Sequence, residues 1–157
     1  MNKESIVIGC DDAGIELKEV LKEFVKNLGY NIEDVGVNSK NDNTIYPMIA
    51  EKTCKMIKDS GYSKLGILIC GTGMGMCITA NKFPRIYAAV CHDNFSAERA
   101  KLSNNANVLC MGARVIGHEL AKKITKEWLS LEFIEGRSST KVKAIQEIDA
   151  MTRNCKE

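Results

Sequence analysis

LGILICGTGMG, which spans residues 65–75, joins a short apolar run to a glycine-rich turn. Its first part, Leu65–Cys70, is typical of a strand that is buried on both faces. The glycines that follow let the backbone turn sharply and approach a ligand closely. A helix that begins directly after such a turn presents free amide groups and the positive end of its dipole, which favour an anion. The stretch therefore predicts a strand, an anion-binding loop and a helix in direct succession.

The same alternation of short apolar runs and amphipathic segments continues on both sides of this stretch. Strands separated by helices require right-handed crossovers, so we expect an open, doubly wound, Rossmann-like α/β fold with a five-stranded parallel sheet and helices on both faces. Ligands bind such sheets beyond the carboxyl ends of the strands. The predicted strands are Ser5–Cys10, 30–35, Leu65–Cys70, 86–91 and 107–111, and the predicted helices are 15–28, 47–58, 74–82, 95–102, 117–131 and 138–151.

Length and composition indicate one globular domain over residues 1–157, with 45% hydrophobic and 27% charged residues. The formal net charge of +2 is too small to favour a nucleic-acid or membrane partner held by bulk attraction. No long apolar segment is present at the start, so we expect a cytoplasmic protein. The seven cysteines form no C-x-x-C pair, which argues against a disulfide framework and against a zinc site.

Cys70 lies at the junction between the predicted strand and the glycine-rich turn. A thiol beside a helix N-terminus tends to have a pKa lowered from about 8.5 toward 7 or below. Cys70 is therefore a candidate thiolate at neutral pH. The alternative is a cysteine that only fills space in a buried strand, and position alone leaves both open.

A dinucleotide-binding loop is a competing interpretation of the same glycines, since Asp93 follows about twenty residues later. The spacing of the glycines does not match a dinucleotide-binding loop. The glycines give G-x-G-x-G, and Met76 occupies the position where close packing of helix on strand requires a third glycine. No phosphate-loop lysine follows either, because the next lysine is Lys82. The sequence therefore disfavours a nucleotide-binding domain.

Charged side chains follow two other predicted strands at the same edge of the sheet. Asp11 and Asp12 follow the first strand, and we expect one of them to cap the next helix while the other contacts substrate hydroxyls. Arg114 follows the fifth strand, and Arg137 and Lys141 open the last helix. Each cation alone is typical of a solvated surface. Beside an anion-binding loop they predict a phosphate site, since arginine binds phosphate through two parallel hydrogen bonds.

A wider pattern runs through the chain at residues 8–11 (IGCD), 68–75 (LICGTGMG), 80–82 (ANK), 104–109 (NNANVL) and 111–117 (MGARVIG), and in the pairs Tyr46-Pro47 and Gly136-Arg137. In this order it resembles the ribose/galactose phosphate isomerase family, which includes the type B ribose-5-phosphate isomerases. The resemblance implies interconversion of aldose and ketose phosphates with neither a metal nor an organic cofactor. It also implies a homo-oligomer, a dimer or tetramer, with sites shared between subunits and the C-terminal helix at their interface.

The resemblance further implies roles for single residues in an isomerisation through a cis-enediolate. Cys70 would be the base that moves a proton between C1 and C2, and Thr72 would move protons between the two oxygens. Backbone amides would bind the developing oxyanion. The implied substrate-binding residues are Gly71, Gly73, Met74 and Gly75 for the oxyanion, Asp11, Asp12, Tyr46 and Asn104 for other parts of the sugar, and Arg114, Arg137 and Lys141 for the phosphate.

The chain departs from the family pattern at Asp12, Ser103 and Ser138, which stand where histidine is usual or frequent, and at Lys141, which replaces arginine. The family histidine at position 103 is held to open the sugar ring. A tetrose 4-phosphate cannot close a furanose ring, because its O4 is esterified. Loss of the ring-opening histidine at position 103 therefore fits a tetrose-phosphate isomerase. Alternatively His92, after the fourth strand, replaces it catalytically, unless His92 is only a polar residue at a strand end.

The sequence thus predicts a small-sugar-phosphate isomerase. Interconversion of ribose 5-phosphate and ribulose 5-phosphate is the family default. The alternatives are a tetrose or tetrulose 4-phosphate and a hexose 6-phosphate such as that of galactose or allose. A phosphosugar-binding module without activity is the alternative of a different class. The presence of both Cys70 and Thr72 argues against it, since binding alone needs neither.

Overall fold

The computed structural model describes residues 5–154, in which five parallel strands form one sheet in the order β2-β1-β3-β5-β4. The strands are β1 Ser5–Cys10, β2 Asn31–Asp34, β3 Leu65–Cys70, β4 Ala88–Val90 and β5 Val108–Gly112. The helices are α1 Ile15–Asn27, α2 Tyr46–Asp59, α3 Met74–Ala80, α4 Asn94–Asn104, α5 His118–Ser130 and α6 Ser139–Asn154. The predicted α/β class and the parallel sheet are confirmed.

Helices cover both faces of the sheet. On one face α5 packs against α1 and α4, and on the other α2 packs against α3. Helices α1, α2 and α5 bury apolar stripes at helical spacing, such as Ala121, Ile124 and Trp128 of α5. No helix within residues 5–154 is both long and apolar enough to cross a membrane.

The edge strand β4 is shorter than the predicted strand at 86–91. Its outer side is covered by a side chain, because Asn81 pairs with both backbone groups of Ala88. The amide nitrogen of Asn81 donates to the carbonyl of Ala88, its oxygen accepts from the amide of Ala88, and both distances are 2.9 Å. This pairing satisfies backbone groups that an edge strand leaves open.

The strand order reverses between β1 and β3, so the loops that leave these two strands diverge and open a crevice. We call the side where the strands end the carboxyl edge and the opposite side the amino edge. Cys10 pairs with Ile69 in the ladder, and Cys70 pairs with Gly112. The residues that follow β1, β3 and β5 therefore meet at the carboxyl edge.

Five of the six cysteines that the structure describes are buried, and all six are free thiols. Burial raises the pKa of Cys10 and Cys54 to about 12. These thiols are therefore neutral, space-filling side chains at physiological pH. The seventh cysteine, Cys155, lies outside the described residues.

Candidate active site

Cys70 ends β3 with its side chain enclosed by the glycine-rich turn, and only 5% of the residue is exposed. The amide of Gly73 donates to the Cys70 sulfur at 3.1 Å. Gly73 precedes α3 and has φ of +79°, a conformation that side chains other than glycine rarely adopt. The turn that this glycine permits brings a backbone donor to the sulfur.

The loop after β3 and the end of β5 touch backbone to backbone. A Cβ on Gly73 would lie 2.8 Å from the carbonyl carbon of Met111, and a Cβ on Gly112 would lie 2.7 Å from the backbone of Thr72. The amide of Ala113 donates to the Cys70 carbonyl at 2.8 Å. The predicted anion loop is therefore held against the neighbouring strand by close backbone contacts.

Arg114 covers this loop. Its amide donates to the Gly71 carbonyl at 3.0 Å, and a Cβ on Gly71 would lie 3.4 Å from its Nη1 atom. The side chain is exposed, so its charge remains available to a ligand. Arg114 also acts on Asp11, because its charge works to lower the pKa of that carboxyl group. The structure thus brings Arg114, the loop and Asp11 together, as the sequence predicts.

Asp11 caps the short 3-10 turn at Asp12–Gly14, since its side chain accepts from the amide of Ala13 at 3.1 Å. The pKa of Asp11 is raised, chiefly by burial and then by the neighbouring charge of Asp12. Asp12 itself is exposed. The expected cap is therefore Asp11, and the same carboxyl group borders the crevice beside Arg114.

Tyr46 lies against the first turn of α3. A Cβ on Gly75 would lie 2.6 Å from its ring, so the glycine makes room for the tyrosine. Thr72 and Met74 are exposed, and the Thr72 hydroxyl accepts weakly from the amide of Met74 at 3.4 Å. These residues form the outer wall of the loop that encloses Cys70.

His92 follows β4 and is bound to β5. The amide of Gly112 donates to its Nε2 atom at 2.8 Å. Because Nε2 is the acceptor, it carries no proton and only Nδ1 is left to donate. Gly112 pairs with Cys70 in the ladder, so His92 stands one strand away from the sulfur. The contact favours a positioning role for His92, because proton transfer at Nε2 would require this hydrogen bond to break.

Asn104 lies at the amino edge of the sheet. Helix α4 begins next to the end of β4 and has eleven residues, a length of about 16 Å. Asn104 is its last residue and is therefore separated from Cys70 by nearly the whole height of the sheet. The Asn104 side chain donates a hydrogen bond to the carbonyl of Arg99, at 3.4 Å.

Helix α6, which carries Lys141 and follows Arg137, is also anchored at the amino edge. Asp149 accepts from the amide of Arg85 at 2.8 Å, and Arg153 donates to the carbonyl of Lys82 at 2.8 Å. Both partners precede β4 in the chain. Within residues 5–154, no side-chain hydrogen bond or ion pair joins Arg137 or Lys141 to the loop at Cys70.

Asp93, the carboxylate that a dinucleotide-binding loop would use for a ribose, caps a helix in this structure. Asp93 caps α4, because its oxygens accept from the Ser96 amide at 2.7 Å and from the Ser96 hydroxyl at 2.6 Å. These hydrogen bonds hold the pKa of Asp93 below its usual value. The structure therefore assigns Asp93 to the helix terminus rather than to a ribose.

Lys18 is a fully buried lysine that no motif in the sequence pointed to. Its ammonium group donates to the Val37 carbonyl at 2.9 Å and pairs with Asp34 at 2.9 Å. It thereby fixes the loop that packs against Cys10 and precedes α2. A signal was present, since Lys18 shares a helix face with the buried residues Leu21 and Val25.

A model of the family described as Ribose/Galactose Isomerase matches residues 6–145. The chain is 48% identical over 141 residues to a D-erythrulose-4-phosphate isomerase of Pectobacterium atrosepticum, covering 90% of this chain and 92% of the relative. It is 47% identical over 148 residues to a ribose-5-P isomerase B of Listeria innocua, covering 94% and 99%. The structure of ribose-5-phosphate isomerase B from Mycoplasma genitalium with bound ribulose-5-phosphate superposes with a TM-score of 0.90 at 33% identity, covering 96% and 99%.

Proposed function

The chain belongs to the ribose/galactose isomerase family and is a sugar-phosphate isomerase, and we propose that it interconverts an aldose and a ketose phosphate through a cis-enediolate. Cys70 is the base in this reaction. It takes the proton from C2 of the aldose and returns it to C1, while the hydroxyl proton moves from O2 to O1. No atom is gained or lost, so the reaction needs no redox partner.

The observation that carries this proposal is the hydrogen bond from the Gly73 amide to the Cys70 sulfur. This donor fixes the position of the sulfur inside the glycine-rich turn, beside the backbone amides that would bind the oxyanion. The sulfur is enclosed, and charge interactions are stronger where water is excluded. Thr72, exposed beside it, is placed to pass the hydroxyl proton between the two oxygens.

Binding of the substrate is divided between the loop and its neighbours. The amides of Gly71, Met74 and Gly75 bind the oxyanion that forms in the enediolate, while the Gly73 amide is the donor to the Cys70 sulfur. Asp11 binds a sugar hydroxyl, and Arg114 binds the phosphate. Binding energy from the phosphate, remote from the reacting carbons, aligns them with the sulfur.

We propose that the site is completed by a second copy of the chain. Asn104 and the helix that carries Lys141 lie at the amino edge, whereas Cys70 lies at the carboxyl edge. These groups can act on one substrate only when they come from different subunits. Apolar residues on α6 support this arrangement, since Ile145 is 40%, Ile148 56% and Met151 61% exposed, and a partner subunit would cover them.

Ribose 5-phosphate is the substrate that most of the related structures suggest, and tetrulose 4-phosphate is a second candidate with its own support. Ser103 replaces the histidine that the family uses to open a ring, and a tetrulose 4-phosphate has no furanose ring to open. The relative from Pectobacterium and a second one from Mycolicibacterium smegmatis, which is 47% identical, are both named D-erythrulose-4-phosphate isomerases.

The test is a panel of phosphorylated aldoses and ketoses with four to six carbons, followed by proton NMR in D2O. Turnover with incorporation of solvent deuterium at C1 or C2 supports the enediolate. Turnover with complete retention of the original hydrogen at carbon argues for a direct hydride shift and against Cys70 as a solvent-exchanging base. A rise in melting temperature with one of these compounds but no turnover of any would identify a binding module.

A further inference from the structure

Two cysteines outside the catalytic loop touch each other. Cys77 lies in α3 and Cys110 in β5, and the Cys110 thiol donates a hydrogen bond to the Cys77 sulfur. The contact follows from the fold, because α3 packs on β4 and β5, and Cys110 stands opposite Val90 in the ladder. Both cysteines are free thiols. The isomerase reaction proposed above uses neither of them.

The Cys77 sulfur is surrounded by hydrogen-bonding groups beside the edge strand β4. Besides the Cys110 thiol, the Val90 amide and the Asn81 side-chain amide donate to it, the latter at 3.5 Å. In its thiol form Cys77 donates in turn to the Ala88 carbonyl at 3.3 Å. The pKa of Cys77 is lowered to about 7, first by the bond from Cys110 and then by the two amides, although burial works to raise it. Cys77 is therefore held in surroundings that favour a thiolate.

Cys77 and Cys110 differ in access and in charge. Cys77 is partly exposed, whereas Cys110 is 0% exposed. Burial raises the pKa of Cys110 well above its usual value, so this residue keeps its proton and remains a donor. A small reagent from solution therefore meets Cys77 first. Cys110 stands behind it as a second thiol in hydrogen-bond contact with the reacting sulfur.

Cys54 and Cys91 have different surroundings. Their thiols contact the backbone carbonyls of Ala80 and Ala89 weakly, each at 3.9 Å. Burial raises the pKa of both to about 12. A neutral, enclosed thiol reacts slowly with oxidants, because the thiolate is the reactive form. These two cysteines therefore serve as internal references for the reactivity of Cys77.

From this arrangement we infer that Cys77 is a site of reversible oxidation and that Cys110 is its resolving thiol, so that the two close a disulfide between α3 and β5. A disulfide requires the two sulfurs to approach to about 2.05 Å. They are already in hydrogen-bond contact, so the approach is short. The inference does not depend on the isomerase reaction, since neither thiol takes part in it.

A peroxide is the oxidant in this scheme. The Cys77 thiolate attacks one oxygen of hydrogen peroxide, the O–O bond breaks, a sulfenic acid forms and hydroxide leaves. The Cys110 sulfur then attacks the Cys77 sulfur, the S–S bond forms and the S–O bond breaks, and the hydroxyl group leaves with the Cys110 proton as water. The two sulfurs lose two electrons, which the peroxide oxygens gain. A dithiol such as dithiothreitol returns these electrons and restores both thiols.

The experiment treats the reduced full chain with increasing hydrogen peroxide, stops the reaction with catalase, and alkylates the remaining thiols in denaturant. Peptide mapping by mass spectrometry without reduction then identifies the products. We expect a cross-linked pair of peptides that contain Cys77 and Cys110, lighter than their sum by two hydrogen atoms and lost after dithiothreitol. Absence of this pair at the peroxide dose that begins to oxidise Cys54 or Cys91 would overturn the inference.

Variants separate the two roles. In Cys110→Ala the sulfenic acid of Cys77 has no resolving thiol, so it should persist and be trapped by dimedone. Cys77→Ser keeps a side chain that accepts hydrogen bonds, and should leave Cys110 reduced at the dose that cross-links the parent. This second variant tests the inference even if Cys110→Ala fails to fold. Cys91→Ala is the matched control and should keep the cross-link. Oxidation of Cys110 in Cys77→Ser at the parental dose would refute the assignment of Cys77 as the first thiol to react.

Discussion

The backbones of Gly73 and Met111 touch where the loop after β3 meets β5, so that a Cβ on Gly73 would lie 2.8 Å from the carbonyl carbon of Met111. Gly73 also has φ of +79°. Its amide is the donor to the Cys70 sulfur. One residue therefore meets three requirements at once, a close approach, a left-handed turn and a correctly aimed hydrogen bond, and only glycine meets all three.

We expect Gly73→Ala to lower the free energy of unfolding by about 3 kcal/mol, from left-handed strain together with a clash against backbone. Urea denaturation measures this change in the free energy of unfolding. Gly61→Ala isolates the strain, since Gly61 has φ of +68° with open space around it, and should cost about 1–2 kcal/mol. Gly136→Ala meets no neighbour within 4 Å and should be near neutral. Equal losses at positions 73 and 61 would show that the contact with Met111 contributes nothing.

The fold and half of the site could be predicted from the sequence because their signals are local. The runs at Ser5–Cys10 and Leu65–Cys70 are apolar throughout, and the structure places both strands at those bounds. Parallel strands bring their carboxyl ends to one edge, so Asp11, Cys70 and Arg114 had to meet once the sheet was inferred.

What could not be predicted depends on tertiary contacts that leave no local pattern. The strand order, with β5 between β3 and β4, is not visible in the chain, and neither is the pairing of the Asn81 side chain with the outer side of β4 at Ala88. The bond from Gly112 to His92 likewise appears only when two loops are placed together. The position of Asn104 at the amino edge follows from α4 being a full crossover helix, which a motif match does not consider.

Cys70→Ala should abolish turnover while leaving affinity for the phosphosugar within about tenfold, or ~1.4 kcal/mol, because the sulfur moves the proton and the phosphate contacts remain. Steady-state kinetics and calorimetric titration separate the two effects. Cys54→Ala is the control, since Cys54 is buried in α2 away from the loop and should retain its kinetics at some cost in stability. Near-normal turnover in Cys70→Ala would exclude Cys70 as the base.

Cys77 should be the thiol whose alkylation responds to pH near neutrality. A hydrogen bond from the Cys110 thiol lowers the pKa of Cys77 to about 7, although burial alone would raise it. For Cys54, burial raises the pKa to about 12. A lowered pKa means that the thiolate accumulates as pH rises through 7. Labelling of Cys77 by iodoacetamide, read by mass spectrometry, should therefore increase between pH 6 and 8 and then level off.

The matched variant for this experiment is Cys110→Ala, which removes the donor. It should raise the pKa of Cys77 and shift the labelling curve to higher pH. Cys54 should remain unlabelled over the same range in both proteins. A Cys77 labelling curve that is unchanged in Cys110→Ala would show that another group stabilises its thiolate.

Mixing two inactive variants tests whether the site is shared between subunits. Cys70→Ala lacks the base, and Arg137→Ala should raise KM strongly. In a twofold dimer with exchanged subunits, half of the dimers are mixed, and each of these holds one intact site, so activity at low substrate should recover to about a quarter of the parent value. Mixing Cys70→Ala with Cys70→Ser is the control and should recover nothing. No recovery with Arg137→Ala would place both residues in one chain's site.

Ser103→His tests the substrate, because it returns the side chain that the family uses to open a sugar ring. Ribose 5-phosphate closes through its 4-hydroxyl, so a positioned acid and base should raise kcat/KM for it by about tenfold or more. A tetrulose 4-phosphate has no such ring, and its kcat/KM should change by less than about twofold. Ser130→His, at an exposed position at the end of α5, controls for the histidine itself and should alter neither value. If Ser103→His raised kcat/KM equally for both substrates, the histidine would act on the enediolate step. The absence of ring opening could then not explain why this chain carries serine.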